Sequence, residues 1–268
     1  MEAVENTQTL ETIRYYSGEI PKPATNKVYP RIYSHNLCIF TERVRLAWAA
    51  KNLEFQLCEI DLEAKAPWHV AANGGVLPLI ELQDDTLMPE SRVLQDLAND
   101  LGRKQGLELY SEEPIQAAHQ RLLMEQFGSK YMPAYFTLYR SKGKSEEVLE
   151  NYKKTISEME SWLKTNLKGG KFLLGLSHPS MADIHIIPVL ERLVMFENSV
   201  FDSIFKTLNI KEQAPTIVEF VHNFRQHEAF NKKNGFILCQ ERTFHTFLED
   251  FMTMEDGVHP VLKLRYLD

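Results

Sequence analysis

Cysteine is scarce in this chain. Three residues of 268, Cys38, Cys58 and Cys239, are too few and too scattered for a disulfide framework. No C-x-x-C pairs with a second C-x-x-C or with an H-x-x-x-H, so no zinc site is expected. The sparse thiols fit a reducing compartment, and a cytoplasmic location is the expectation. Excess positive charge is absent too: Lys and Arg number 30 against 37 Asp and Glu, for a formal net charge of −7. The basic runs are short ("KGK", "NYKK", "NKKNG"), which excludes a general nucleic-acid binder. No window carries the roughly 20 apolar residues of a membrane-spanning helix. The opening "MEAVENTQTLETIRYYSGEIP" lacks an apolar h-region, so neither a secretory signal nor an Arg-rich transit peptide is expected.

What remains is a soluble globular profile, 44% hydrophobic and 25% charged, long enough for one large domain or two ordinary ones. Residues 1–27 end in "GEIPKPATNK" and read as an extension on the surface or partly disordered. From residue 28, "VYPRIYS" reads as a strand, "FTERVRLAWAAK" as an amphipathic helix and "LEFQLCEIDL" as a second strand. "KAPWHVAANGG" is irregular or briefly helical, "VLPLIEL" is a strand with a proline inside it, and "QDDTL" is a turn. "ESRVLQDLANDLG" is a helix closed by Gly102. This β-α-β, β-(β)-α order predicts a small α/β sheet domain over 28–106 with crossover connections.

Residues 107–268 show only helical periodicity and predict an all-α domain, with Pro114 in the first turn of a helix. Ile156, Met159 and Leu163 share a face, as do Ile217, Phe220, Val221 and Phe224, and Phe244, Phe247, Leu248 and Phe251. Ser180 and Asp183 have the spacing of a capping box. No fixed-period repeat is present.

Three positions invite chemistry. Cys38 falls just before a helix, where unpaired first-turn N–H groups and the helix dipole favour a thiolate. A small buried hydrophobe is the alternative reading of the same residue. Thr41, not a second cysteine, stands three residues on, so an external thiol would have to resolve a mixed disulfide. Cys58 reads as core packing. Pro78 is either a trans proline at a strand start or a cis proline that leaves the Leu77 backbone free to pair with an extended ligand. Ser91 either caps its helix or, with Glu90, recognises an α-amino acid group.

Taken in order, these features resemble the cytosolic glutathione transferases. "YSHNLCIFTERVRL" is similar to the "YS…CPFAERTRL" of the Omega class, which uses cysteine where most classes use tyrosine or serine. "KAPW" resembles that class's K-x-x-W, "VLPLIE" its proline-containing strand, "PESRVL" its Glu-Ser helix start, and "SMADIHIIPVLERL" its capping box. The likeness spans about residues 28–250. It implies a thioredoxin-like α/β N-terminal domain and an all-α C-terminal domain, the glutathione transferase fold. It further implies a homodimer with glutathione as co-substrate, no metal, and a small electrophile or disulfide as the second substrate. Carried over, Cys38 is the catalytic thiol, Leu77 and the presumed cis-Pro78 meet the cysteinyl unit, Glu90 and Ser91 hold the γ-glutamyl end, and Lys65 meets the glycyl carboxylate.

Two departures stand out. Ile39 replaces the family's proline after the cysteine, and the loop "NGGVLP" is one residue shorter than the family's. The expected activity is Omega-type thiol transfer, acting on glutathionylated disulfides or a dehydroascorbate-type carbonyl. The rival is a non-enzymatic relative of the same fold, such as a chloride intracellular channel-like or glutathione-binding partner protein. The three charges before the apolar end of "FTERVRLAWAAK" argue against membrane insertion.

Overall fold

The short run "RIYS" forms β2 (Arg31–Ser34), buried on both faces, because helices cover both sides of the sheet it centres. The computed structural model describes residues 12–16, 18, 21–231, 238–256 and 261–268. β1 (Ile13–Tyr15) precedes β2; α1 (Ile39–Ala50), β3 (Gln56–Ile60), α2 (Pro67–Asn73), β4 (Leu79–Glu81), β5 (Leu87–Pro89) and α3 (Ser91–Leu101) follow. The sheet runs β1-β3-β2-β4-β5. β1, β3 and β2 are parallel, with Tyr33 opposite Cys58; β4 is antiparallel to β2 and β5 to β4.

β1 departs from the reading of residues 1–27 as an extension. Three residues are too few to show alternation, so "IRY" carried no strand signal, yet Ile13 pairs with Cys58 and Tyr15 with Ile60. The Tyr15 hydroxyl accepts from Trp68 Nε1 at 2.9 Å, which pins the edge strand under α2. Residues 21–27 are tied down as well. Buried Arg31 donates to the Ala24 carbonyl at 2.7 Å, and Lys22 and Thr25 bond Glu81. Residues 1–11 lie outside the described residues.

The second half is helical: α4 (Pro114–Arg140), α5 (Glu146–Leu167), α6 (Met181–Val194), α7 (Asp202–Leu208), α8 (Ile210–Gln213), α9 (Pro215–Gln226), α10 (Glu228–Asn231) and α11 (Glu241–Thr253). Pro114 opens α4 and the Glu113 carboxylate caps it, accepting from the Ile115 and Gln116 amides at 3.1 and 2.7 Å. The apolar stripes read from α5, α9 and α11 are all buried. One continuous core joins the two halves, with α1 packed on both α3 and α6.

α1 is not amphipathic. Every residue but Phe40 is buried, including Glu42, Arg43 and Arg45. The charges misled because a sequence shows no partners, and each of these three has a buried one, described below.

The box at the start of α6 is present. Asp183 accepts from the Ser180 amide at 2.8 Å, the Ser180 hydroxyl at 2.6 Å and the Leu173 amide at 2.8 Å. All of these groups are buried, so deleting the carboxylate strands two amides and a hydroxyl. Asp183→Ala is expected to lower the unfolding free energy by about 3 kcal/mol in urea titrations. A loss under about 1 kcal/mol would show that these groups find other partners.

Candidate active site

Cys38 sits where β2 turns into α1, at the N-cap position, with φ −76° and ψ 111°. Its amide donates to the His35 carbonyl at 2.9 Å, its carbonyl accepts from the Glu42 amide at 3.0 Å, and its side chain is half-buried. The turn beneath it is fixed from inside. Arg45 donates to the Ser34 hydroxyl at 2.7 Å and to the His35 and Asn36 carbonyls, each at 3.2 Å. Burial lowers the His35 pKa to about 4, so its ring is neutral. The Leu37 amide donates to Nδ1, which leaves the proton on Nε2 to bond the Lys263 carbonyl at 3.0 Å. Asn36 accepts from the Gln240 amide at 3.1 Å.

A buried charge network ties α1 to the helical half. Glu42 accepts from the Cys239 amide at 2.8 Å and pairs with Arg192, which also pairs with Glu191; Arg225 reaches Glu191 at 2.8 Å. Burial is the largest single influence and opposes the charge on Glu42, but Arg192, Glu191, Arg45 and the Cys239 amide together outweigh it and hold this carboxyl below its ordinary range. Burial and the neighbouring Glu42 push Glu191 well above its range. Arg43 is buried beside Cys38 and donates to the His185 carbonyl at 2.7 Å. Burial pulls its pKa down to about 10, and Cys38 is the group that acts in the opposite direction. A buried cation therefore lies within electrostatic reach of Cys38.

Two clefts meet at Phe40, which lines both. One, of about 300 Å³, is bordered by Cys38 and walled by Ile39, Phe136, Tyr139 and Phe247. The other, of about 440 Å³, is lined by Leu77, Pro78, Pro89, Glu90 and Ser91. The Leu77–Pro78 bond is cis, and among the described residues the Leu77 N–H and C=O have no hydrogen-bond partner. Pro78 sits before β4, an interior strand, rather than on an edge strand.

Ser91 does not cap α3. It is the first helical residue, and Glu90 is the cap, held at φ +76°, an unusual backbone for glutamate. Neither side chain caps the first-turn amides, and both residues line the second cleft. Lys65 lines neither cleft. It is exposed and packed against Gly75, where an added Cβ would stand 2.7 Å from its Cδ.

Arg43, Arg45 and Arg192 had no sequence signal, since helical arginines are by default solvated. Glu59 is a further such residue. It is buried at the end of β3 beside a small cavity of about 30 Å³ bordered by Asn36, and neither carboxyl oxygen makes a well-formed hydrogen bond. Burial, opposed by Arg45 and the Asn36 amide, pushes its pKa up to about 7 from 4.5. The folded state keeps this proton after the unfolded chain has lost it. The resulting stability is full below the unfolded pKa and is lost as pH rises from 4.5 to about 7. Glu59→Gln is expected to remove that decline and to be more stable than the parent at about pH 8 by roughly 2–3 kcal/mol, with the gap closing near pH 5. Parallel urea curves at both pH values check it, and a pH-independent gap would contradict it.

Residues 32–101 match the family model described as the glutathione S-transferase N-terminal domain. Glutathione S-transferase omega-1 of Mus musculus is 29% identical over 187 residues, 67% of this chain and 73% of that protein. Among solved structures, a Tau-class glutathione S-transferase from mango aligns with TM-score 0.69 at 16% identity, over 84% of this chain and 99% of that one. Glutathione transferase Omega 1C of Trametes versicolor aligns with TM-score 0.66 at 20% identity, over 83% and 96%. The last two show a shared fold: a thioredoxin-like mixed-sheet domain followed by a helical one. Residues 32–101 thus carry a glutathione S-transferase N-terminal domain, and the chain as a whole has the glutathione transferase fold and is similar to Omega-class relatives.

Proposed function

We propose that the protein is an Omega-type glutathione-dependent thiol transferase with Cys38 as its nucleophile. The observation that carries this reading is the junction at Phe40, where the cleft bordered by the half-buried Cys38 meets a second one, lined by Leu77, Glu90 and Ser91, that suits a tripeptide. In that cleft the Leu77 backbone pairs with the cysteinyl unit of glutathione by strand addition. Glu90 takes the γ-glutamyl ammonium, and the Ser91 hydroxyl with the first amides of α3 takes its carboxylate. Lys65, exposed and outside the cleft, reaches over to the glycyl carboxylate.

The Cys38 thiolate, within electrostatic reach of Arg43, attacks the glutathionyl sulfur of a mixed disulfide and expels the partner thiolate. A second glutathione thiolate attacks the Cys38–glutathione disulfide. Oxidised glutathione leaves and Cys38 is restored as a thiolate. An internal resolving thiol is excluded on burial. Cys58 and Cys239 are buried, which pushes each thiol up to about 12. The same thiolate serves a dehydroascorbate-type carbonyl. Three free cysteines favour a reducing, cytoplasmic setting. A homodimer is part of this reading on the family likeness. Among the described residues no His/Cys/Asp/Glu group is arranged to hold a metal, and no helix is long and apolar enough to cross a membrane.

Cys38→Ser is expected to lose glutathione-dependent reduction of hydroxyethyl disulfide and of dehydroascorbate by about 100-fold or more. Mass spectrometry after incubation with oxidised glutathione is expected to find the adduct on Cys38 in the parent and none in the variant. Full activity in the variant would overturn the reading.

A further inference from the structure

The cleft beside Cys38 has an uneven chemistry. Its walls are rings: Tyr139 lies within 9° of parallel to Phe247 at 6.0 Å between centroids, and Phe136 stacks against Phe40 at 26° and 6.5 Å. A flat aromatic guest extends such a stack by offset or edge contacts. At about 300 Å³ the cleft stands at the small end of ligand sites, which suits one substituted ring rather than a fused system.

Two cations also border this cleft, Arg140 and Arg192. Arg192 is buried and already paired with Glu42 and Glu191, so its charge is spent inside the protein. Arg140 differs. It is the last residue of α4, it is exposed, and among the described residues no carboxylate pairs with it. Its guanidinium lies 5.9 Å from the Phe136 ring centroid. That contact holds the cation at the edge of the aromatic wall and leaves its donors available. A nucleophile, an aromatic slot and an unpaired guanidinium thus share one cavity.

Resting on the thiol-transferase reading, we infer that this cleft selects single-ring aromatic substrates that carry an anionic group. The ring packs against Phe136, Tyr139 and Phe247, the anion pairs with Arg140, and the reacting sulfur meets Cys38. The fitting substrate class is a mixed disulfide between glutathione and an aryl thiol bearing a ring carboxylate. The Cys38 thiolate attacks the glutathionyl sulfur, the S–S bond breaks, and the electron pair leaves on the aryl thiolate. An aryl thiolate is a better leaving group than an alkyl one. A second glutathione thiolate then displaces Cys38 and departs as oxidised glutathione. The balance is reduction of the aryl disulfide by one glutathione.

The test compares the glutathione mixed disulfide of 5-thio-2-nitrobenzoate with that of its neutral carboxamide. Release of the coloured aryl thiolate is followed, and each rate is divided by the uncatalysed rate with glutathione. Hydroxyethyl disulfide, which has neither ring nor charge, is assayed alongside. The parent protein is expected to favour the carboxylate by about tenfold in kcat/KM, expressed in KM. Arg140→Gln is expected to bring that ratio to about one, Arg140→Glu to invert it, and Arg140→Lys to keep part of it. A ratio near one in the parent, or one unmoved in Arg140→Gln, with Cys38-dependent turnover of hydroxyethyl disulfide intact, overturns the inference alone. Absence of Cys38-dependent turnover of hydroxyethyl disulfide overturns the thiol-transferase reading and this inference with it.

Discussion

Glu42 and Arg192 are both out of water, and their pairing holds the helix that carries Cys38 to the helical half of the molecule. Neither could be buried alone. Removing one partner of such a pair typically costs about 3–5 kcal/mol, because the other is left as an uncompensated charge. The pair also has chain neighbours that matter. Glu42 lies one turn beyond Cys38 and accepts the Cys239 amide, while Arg192 borders the cleft at Cys38. The position of the thiol is thereby set by contacts from both halves, and the interior of α1 is charged for that reason.

Around this anchor the local chemistry is simple. The turn Ser34–Leu37 is held by Arg45 from below and by His35, Asn36, Gln240 and Lys263 from the side. Because His35 is neutral, its two ring nitrogens act as one donor and one acceptor, and both are used. What faces outward is one sulfur, with a buried guanidinium in electrostatic reach and a cleft on each side of Phe40. One cleft offers unpaired backbone groups and a helix start; the other offers rings and a single exposed cation. The two kinds of lining match a peptide-like co-substrate and an aromatic partner.

Much of this was legible along the chain. Cys38, Pro78, Glu90 and Ser91 could be singled out as candidates because their setting is local: a thiol before a helix, a proline before a strand, a carboxyl and a hydroxyl at a helix start. The helical stripes of α5, α9 and α11 were read from spacing alone. The misreadings share a cause. β1 is too short for a pattern and exists only because β3 offers it a register. Glu42, Arg43 and Arg45 look like a solvated face until their partners, 142 to 197 residues away for the first two, are in view. Ser91 looked like a cap, but the turn puts Glu90 there with a positive φ. Arg140 at a helix end carried no signal, and its importance comes from the rings beside it.

The most direct test is a crystal structure of the full chain soaked with oxidised glutathione. The account predicts continuous density from Cys38 Sγ to a glutathionyl sulfur. It also predicts backbone pairing between the cysteinyl unit and Leu77, with the γ-glutamyl end at Glu90 and Ser91. Glutathione bound outside this cleft, or joined to Cys58 or Cys239 while Cys38 stays free, would contradict it.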